Sequence, residues 1–390
     1  MKDIIQLNLP KTIYLGNGSI NKLAQEAETL GSRPLILCDP FLLKNGSFEL
    51  IANILNSVNQ RFSLYSEINS EPTQDYVYDA VKIAKNDQCD YIIAIGGGSC
   101  LDTAKAVAAV ITNNVAIESF YGSDFQGVSS PLPLIAIPTT AGTGSEATDV
   151  TVITNTKTQV KMMLKNRIFL PEIAIVDPQF TKTVPKGITA ATGLDALCHA
   201  LESYVSIKSN SLTKMYSLDA LKRILTNIEK VYDDGNDEEA RNEMMIGSTE
   251  AGIAFSNASV TLVHGMSRPI GALFHVPHGL SNAMLLPIFL EFSQEVIKQK
   301  LSEIVDYIYP NKVNLDIDEK SEYLVQTIKK ICLHLEVTNL AEWGIEFTEF
   351  ERAVNKMAED ALASGSPQNN PKVPSKEEII QLYFKAFSYK

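Results

Sequence analysis

Over its first 180 or so residues the chain alternates short β-prone apolar runs with longer segments of helical period, a pattern that leaves few architectures open. Strands are read at 35–39 (LILCD), 62–68 (FSLYSEI), 91–95 (YIIAI), 134–138 (LIAIP) and 173–177 (IAIVD). Between them, Asp75–Asn86 and Leu101–Thr112 repeat apolar side chains at i, i+3, i+4 and i+7, giving each helix one stripe to lay on a sheet. Strands joined by crossover helices run parallel, so a mostly parallel sheet is expected. Residues 149–164 break the alternation with two β-prone stretches around NTKT, which reads as an antiparallel hairpin. After Pro185 the period turns helical at Thr189–Ser206, Leu212–Asp233, Glu238–Phe255 and Ser321–Leu335. The residues of 364–378 (SGSPQNNPKVPSKEE) read as a turn-rich surface loop before a last helix. At 390 residues the chain exceeds what one core usually serves. Two domains follow: an α/β domain over 1–184 and an all-α domain over 185–390.

Charge and cysteine usage narrow the partners. With 46 acidic against 34 basic residues the net charge is −12, which repels a phosphate backbone or an anionic lipid surface, so no nucleic-acid or membrane partner is expected. The N-terminus MKDIIQLNLPKTIYLG has no apolar core of a signal peptide, and no run approaches the ~18 apolar residues of a membrane helix. Cys38, Cys89, Cys100, Cys198 and Cys332 lie far apart without a C-x-x-C pair, which suits a reducing compartment and a cytoplasmic protein. The run DDGNDEEARNE at 233–243 reads as a solvated loop and helix start.

Two glycine-containing loops carry the first chemical signal. GGGSCLDTAK (96–105) follows an apolar strand and opens a helix, so its backbone can approach a ligand closely and its first N–H groups favour an anion such as a pyrophosphate. Alone it also fits a plain strand-to-helix turn, and it is neither G-x-G-x-x-G nor a P-loop. The next strand ends in a similar stretch, PTTAGTGSE (138–146), and two small-residue loops at neighbouring strand ends make one ligand crevice. Asp39 ends another strand, where its carboxylate either meets an adenosine ribose and repels a 2′-phosphate or caps a turn.

The helical half holds the sharper constellation. In TGLDALCHALESY (192–204), Asp195 and His199 stand four apart and project from one helix face. Four of the five histidines are His199, His264, His275 and His278, the last three within HGMSRPIGALFHVPHG (264–279). One carboxylate and imidazole nitrogens without thiolate suit Fe2+ or Zn2+ and suit Mg2+ or Ca2+ poorly. His334, in ICLHLEV, reads as structural.

Taken in order along the chain, GGGSCLDTAK, PTTAGTGSE, TGLDALCHALESY and the HG…PHG segment resemble the iron-containing, or group III, alcohol dehydrogenases, whose architecture is shared with dehydroquinate synthase. The resemblance implies an N-terminal dinucleotide domain, a C-terminal helical domain and a catalytic metal in the cleft between them. Carried over residue by residue, it makes Asp195, His199, His264 and His278 the metal ligands and Gly96, Gly97, Gly98 and Ser99 the pyrophosphate loop. It sets Asp102, Thr139, Thr140, Thr143 and Ser145 among the cofactor contacts, Asp39 at the adenosine ribose and Lys161 near the nicotinamide ribose. Many members have a further histidine four residues after the third ligand, and here that position is Arg268, which stays protonated and cannot shuttle a proton. His275 is the remaining imidazole for that task, with a substrate-lining role as the alternative. Arg268 needs an anionic partner, either a protein carboxylate such as Glu146 or Glu202 or an anionic group of the substrate.

The activity implied is reversible hydride transfer between NAD(H) and a small primary alcohol or aldehyde, including a diol, hydroxyaldehyde or semialdehyde, with Fe2+ as the metal and Zn2+ as the alternative. A homodimer or larger homo-oligomer is expected. The rival readings are an NAD- and metal-dependent carbon–oxygen lyase of the dehydroquinate synthase type, expected to show a Glu–His–His set, a zinc glycerol dehydrogenase with three protein ligands, and a non-catalytic binding module.

Overall fold

The computed structural model describes residues 4–121, 129–158 and 160–389. They divide into two compact units, one of Asn8–Val184 and the other of Pro185–Lys390 together with the chain start up to Leu7.

In the first unit, β1 (Thr12–Leu15), β2 (Pro34–Cys38), β3 (Ser63–Tyr65), β4 (Tyr91–Gly96), β5 (Leu134–Pro138) and β8 (Ile173–Val176) form one sheet in the order β1-β8-β5-β4-β2-β3. Every pairing in it is parallel. Alternation along the strands sends Leu35, Leu37, Ile92, Ala94 and Ala136 to one face, which α3 (Gln74–Asn86) and α4 (Gly98–Asn113) cover. Ile36, Ile93, Ile95, Ile137 and Ile175 face the other side, under α1 (Leu23–Leu30) and α2 (Ser47–Ser57). Both faces are buried, which is why the central strands read as continuous apolar runs. β6 (Val150–Asn155) and β7 (Val160–Lys165) form the antiparallel hairpin expected at 149–164.

Two strands differ from expectation. β1 is a four-residue edge strand with only half-buried or exposed side chains, too short and mixed to show a period. The run read as 62–68 pairs only over Ser63–Tyr65, again at a sheet edge where nothing on the outer side holds the chain extended.

The second unit is helical: α5 (Lys186–Val205), α6 (Ser211–Asp233), α7 (Glu238–Ala258), α8 (Leu262–Phe274), α9 (His278–Ile308), α10 (Ile317–His334), α11 (Phe347–Ala363) and α12 (Lys376–Phe387). Almost every residue of α5 from Thr189 onward is buried, so this helix runs through the middle of the unit. The reading of 364–378 as a surface loop is corrected. Ser366, Asn369 and Asn370 are buried, and Pro367 packs so closely on Gly265 that a Cβ there would lie 2.7 Å from the proline ring. Loops are rarely buried because their backbone groups need partners. Here Asn369 donates from its amide to the Ser259 hydroxyl and the Val260 carbonyl, and Asn370 to the Ser293 hydroxyl, so the segment meets that demand with its own side chains.

Candidate metal centre and nucleotide loops

In the first unit the predicted nucleotide residues gather at the C-terminal ends of three adjacent strands. Asp39 follows β2, Gly96 ends β4, and Thr139 follows β5 and donates its backbone N–H to the Gly96 carbonyl at 3.0 Å. A Cβ on Gly98 would lie 2.8 Å from Thr143 Cγ2, so the two small-residue loops touch only because position 98 is glycine. Gly97 caps α4 without any side-chain cap, which leaves the helix start with its N–H groups aimed outward at the loop. Ser145 donates to Asp102 Oδ1 at 2.6 Å and Val152 N–H donates to Asp102 Oδ2 at 2.8 Å, so Asp102 ties the second loop and β6 to α4. Behind it Lys105 is fully buried, donating to Thr148 Oγ1 and the Val150 carbonyl at 2.9 Å each. Burial draws its ammonium down to about 8, against the opposing pull of Asp102.

Asp39 accepts from Phe41 N–H and caps the turn of Pro40–Leu43, the bland role weighed for it, while keeping its place beside Gly96. Lys161 lies on β7 with its Nζ paired to Glu71, a contact that does not tie it to the glycine loops.

The second unit brings the metal residues together. Asp195 and His199 are one turn apart on α5, His264 lies in the first turn of α8 and His278 is the first residue of α9. Asp195, His199 and His264 are buried, and His278 keeps 42 % of its side chain exposed. The Nε2 atoms of His264, His199 and His278 stand 3.5, 3.9 and 3.9 Å from Asp195 Oδ1. A tetrahedral site with bonds of about 2.0–2.2 Å has donor–donor edges of about 3.3–3.6 Å, so the four donors are spaced for one divalent ion with slight closure. The rings are held by their neighbours: His199 stacks between Phe255 at 4.1 Å and His264 at 4.4 Å. Burial disfavours charge on Asp195, but His199, His278 and His264 outweigh it and hold the carboxyl well below its usual range. Burial likewise disfavours the His264 imidazolium, yet Glu202 and Asp195 raise it to about 9, so a cation and a proton compete for the same nitrogen.

The site contains two residues that sequence reasoning did not assign to it. Asn282 places its amide nitrogen 2.7 Å from Asp195 Oδ1, 3.1 Å from His264 Nε2 and 3.3 Å from His278 Nε2, the point on which three of the donors converge. Glu202 is fully buried and meets His264 Nδ1 with one oxygen while the other accepts from Thr261 and Val263. Helical spacing was the available signal: Asn282 is four residues after His278, and Glu202 three after His199 and seven after Asp195. Arg268 sits one turn beyond His264 on α8 and is half-buried, and His275 ends that helix exposed with a left-handed φ of 55°. His334 lies elsewhere, 2.9 Å from Asp233.

The comparisons with known proteins agree with this arrangement. A family model described as iron-containing alcohol dehydrogenase matches residues 10–178, and one described as the C-terminal part of the Fe-containing alcohol dehydrogenase family matches 189–387. The chain is 30 % identical to an NAD-dependent methanol dehydrogenase of Bacillus methanolicus over 96 % of its own length and 97 % of the relative's. It is 30 % identical to a 1,3-propanediol dehydrogenase of Klebsiella pneumoniae, covering 97 % and 98 %. A crystal structure of a 1,3-propanediol oxidoreductase superposes with a TM-score of 0.94 at 29 % identity, covering 98 % of this chain and 100 % of that one.

Proposed function

Because the chain belongs to the iron-containing alcohol dehydrogenase family, we propose that it interconverts a small primary alcohol and its aldehyde by hydride transfer to and from NAD(H). The observation that carries this reading is the buried set of three imidazole nitrogens around one carboxylate oxygen. A bound Fe2+ supplies Lewis acidity toward the carbonyl or alcohol oxygen, lowering the alcohol's effective pKa. Asp195, His199, His264 and His278 would hold it, one anionic and three neutral donors that leave a net positive charge to act on an oxygen. Phe255 and the interlocked rings keep the donors from turning outward.

The cofactor is NAD(H). Gly96, Gly97, Gly98 and Ser99 would receive the pyrophosphate at the uncapped start of α4, with Thr139, Thr140, Thr143 and Ser145 closing the second side. Asp102 acts by anchoring Ser145, and Asp39 by opposing a 2′-phosphate. Lys161 near the nicotinamide ribose, and His275 or Arg268 at the substrate, complete the assignment carried over from the family motifs. A lyase of the dehydroquinate synthase type would be expected to use a glutamate in the donor set, and a glycerol dehydrogenase no fourth ligand; Asp195 and the position of His278 speak against both.

All five cysteines are buried and unlinked, and among the described residues no helix is long and apolar enough to cross a membrane, which supports a cytoplasmic enzyme. Light scattering of the purified protein would read the expected homodimer or larger homo-oligomer. N/O sites prefer Zn2+ to Fe2+, so protein is best stripped and reloaded before assay. Incubation with NADH and a panel of short aldehydes, with and without Fe2+, tests the reading: metal-dependent NADH oxidation is expected, and absence of turnover on every aldehyde would overturn it.

A further inference from the structure

Glu202 occupies an unusual place: a fully buried carboxylate on α5 whose two oxygens face different partners. Its Oε1 accepts from Thr261 N–H at 3.0 Å, Thr261 Oγ1 at 2.7 Å and Val263 N–H at 2.7 Å. These donors line the start of α8, where Thr261 gives no side-chain cap of its own, so Glu202 satisfies the open amides of that helix from a neighbouring one. Three donors fix Oε1 in place and so fix which way the carboxylate faces. Its Oε2 is thereby aimed at His264 Nδ1, close enough to hold a strong hydrogen bond.

An imidazole nitrogen can take a metal only through its lone pair, and the neutral ring has one lone pair and one N–H. Oε2 has no proton to give, so it can only accept, and the proton it accepts must sit on Nδ1. That leaves Nε2, the atom facing Asp195 and the amide nitrogen of Asn282, as the ligating nitrogen. We propose that Glu202 is a positioning residue that fixes the tautomer and direction of His264 and thereby sets the affinity of the centre for its metal. The inference rests on the metal centre assigned above.

The isosteric change Glu202→Gln tests it sharply. The three donors on Oε1 require an oxygen there, so a glutamine would place its carbonyl at that point and turn its NH2 toward His264 Nδ1. An NH2 group needs an acceptor, so the ring proton would move to Nε2 and block the ligating position. Loss of such a partner typically weakens metal binding about 10–100-fold.

The experiment measures the Co2+ dissociation constant of the stripped full-length protein by chelator competition for the unmodified chain, Glu202→Gln and Glu202→Asp, with NAD+ binding as a control. Glu202→Gln is expected to lose about 10–100-fold in Co2+ affinity with NAD+ binding unchanged, and Glu202→Asp, which still only accepts, to recover part of it. Nitrogen-15 NMR of histidine-labelled, Zn2+-loaded unmodified protein gives a second readout that needs no variant: His264 should show a protonated Nδ1 and a zinc-bound Nε2. Equal Co2+ affinity in Glu202→Gln, or zinc on Nδ1, overturns the proposal. If the unmodified protein binds no Co2+, it is the metal centre itself that fails.

Discussion

Gly279→Ala is a single methyl group added where the metal centre has least room. Gly279 follows His278 in the first turn of α9, and its backbone lies directly on α5. A Cβ there would stand 2.9 Å from the carbonyl carbon of Ala191 and nearer still to its oxygen, with Asp195 Cβ at 3.4 Å. The obstruction is backbone, which cannot swing aside as a side-chain tip can. Restoring ordinary contact distances of 3.4 Å or more requires α9 to retreat from α5 by about 0.5–1 Å. That displacement separates His278 from Asp195, whereas metal–donor distances tolerate only about 0.2 Å. Overpacking of this kind costs about 1–3 kcal/mol of stability, equivalent to about 2–4 °C of Tm per kcal/mol in a unit of this size. Co2+ affinity of the stripped protein should fall at least tenfold, about 1.4 kcal/mol. Gly187→Ala, on the same α5 but with nothing within 4 Å of the added carbon, provides the control and should leave both quantities unchanged or improve stability. Thermal melts and chelator competition are the assays. A Gly279→Ala protein with unmodified Tm and Co2+ affinity would refute the tight backbone packing on which the ligand geometry depends.

Three further outcomes are expected. Asp39→Gly should raise kcat/KM for NADPH relative to NADH by tenfold or more while losing the Phe41 cap; unmodified enzyme that already uses both cofactors equally would remove Asp39 from the ribose. If Arg268 clamps a substrate anion, short semialdehydes should exceed uncharged aldehydes of equal length in kcat/KM and Arg268→Lys should erode the preference, because an ammonium lacks the planar fork; a preference for butanal would return Arg268 to the scaffold. Glu291 on α9 is disfavoured as an anion by burial, but Lys329, Lys385 and Tyr389 outweigh this and hold it at about 2, below its ordinary 4.5. A lowered carboxyl stabilises the fold above its unfolded pKa and loses that contribution as pH falls through its folded value, so stability should decline between about 4.5 and about 2, and Glu291→Gln should flatten that part of an acid melt.

The parallel sheet, the hairpin and the long helices α5, α6 and α7 were legible because each shows its period in full. α8 and α9 were not. α8 carries Gly265, Pro269 and Gly271 inside thirteen residues, and α9 is buried on every side from Ala283 to Leu290, so no polar stripe marks a helix. The donor set could be named because histidine is scarce in this chain and the motifs matched a family. Glu202 and Asn282 escaped because they belong to common residue types, and only the packing of α5 against α8 and α9 reveals what they touch. The buried segment around Asn369 escaped for a related reason: Ser, Pro and Asn mark turns wherever they lie, and only tertiary contacts decide whether a turn is covered.

Hydride transfer under metal control is tested most directly with NADH deuterated at C4 and an aldehyde taken from the substrate screen. Mass spectrometry of the alcohol formed should find one deuterium on its carbinol carbon after Fe2+ reloading and no alcohol from stripped protein or from Asp195→Ala. Labelled alcohol from metal-stripped protein, or alcohol from reloaded protein that lacks the deuterium, would contradict the account.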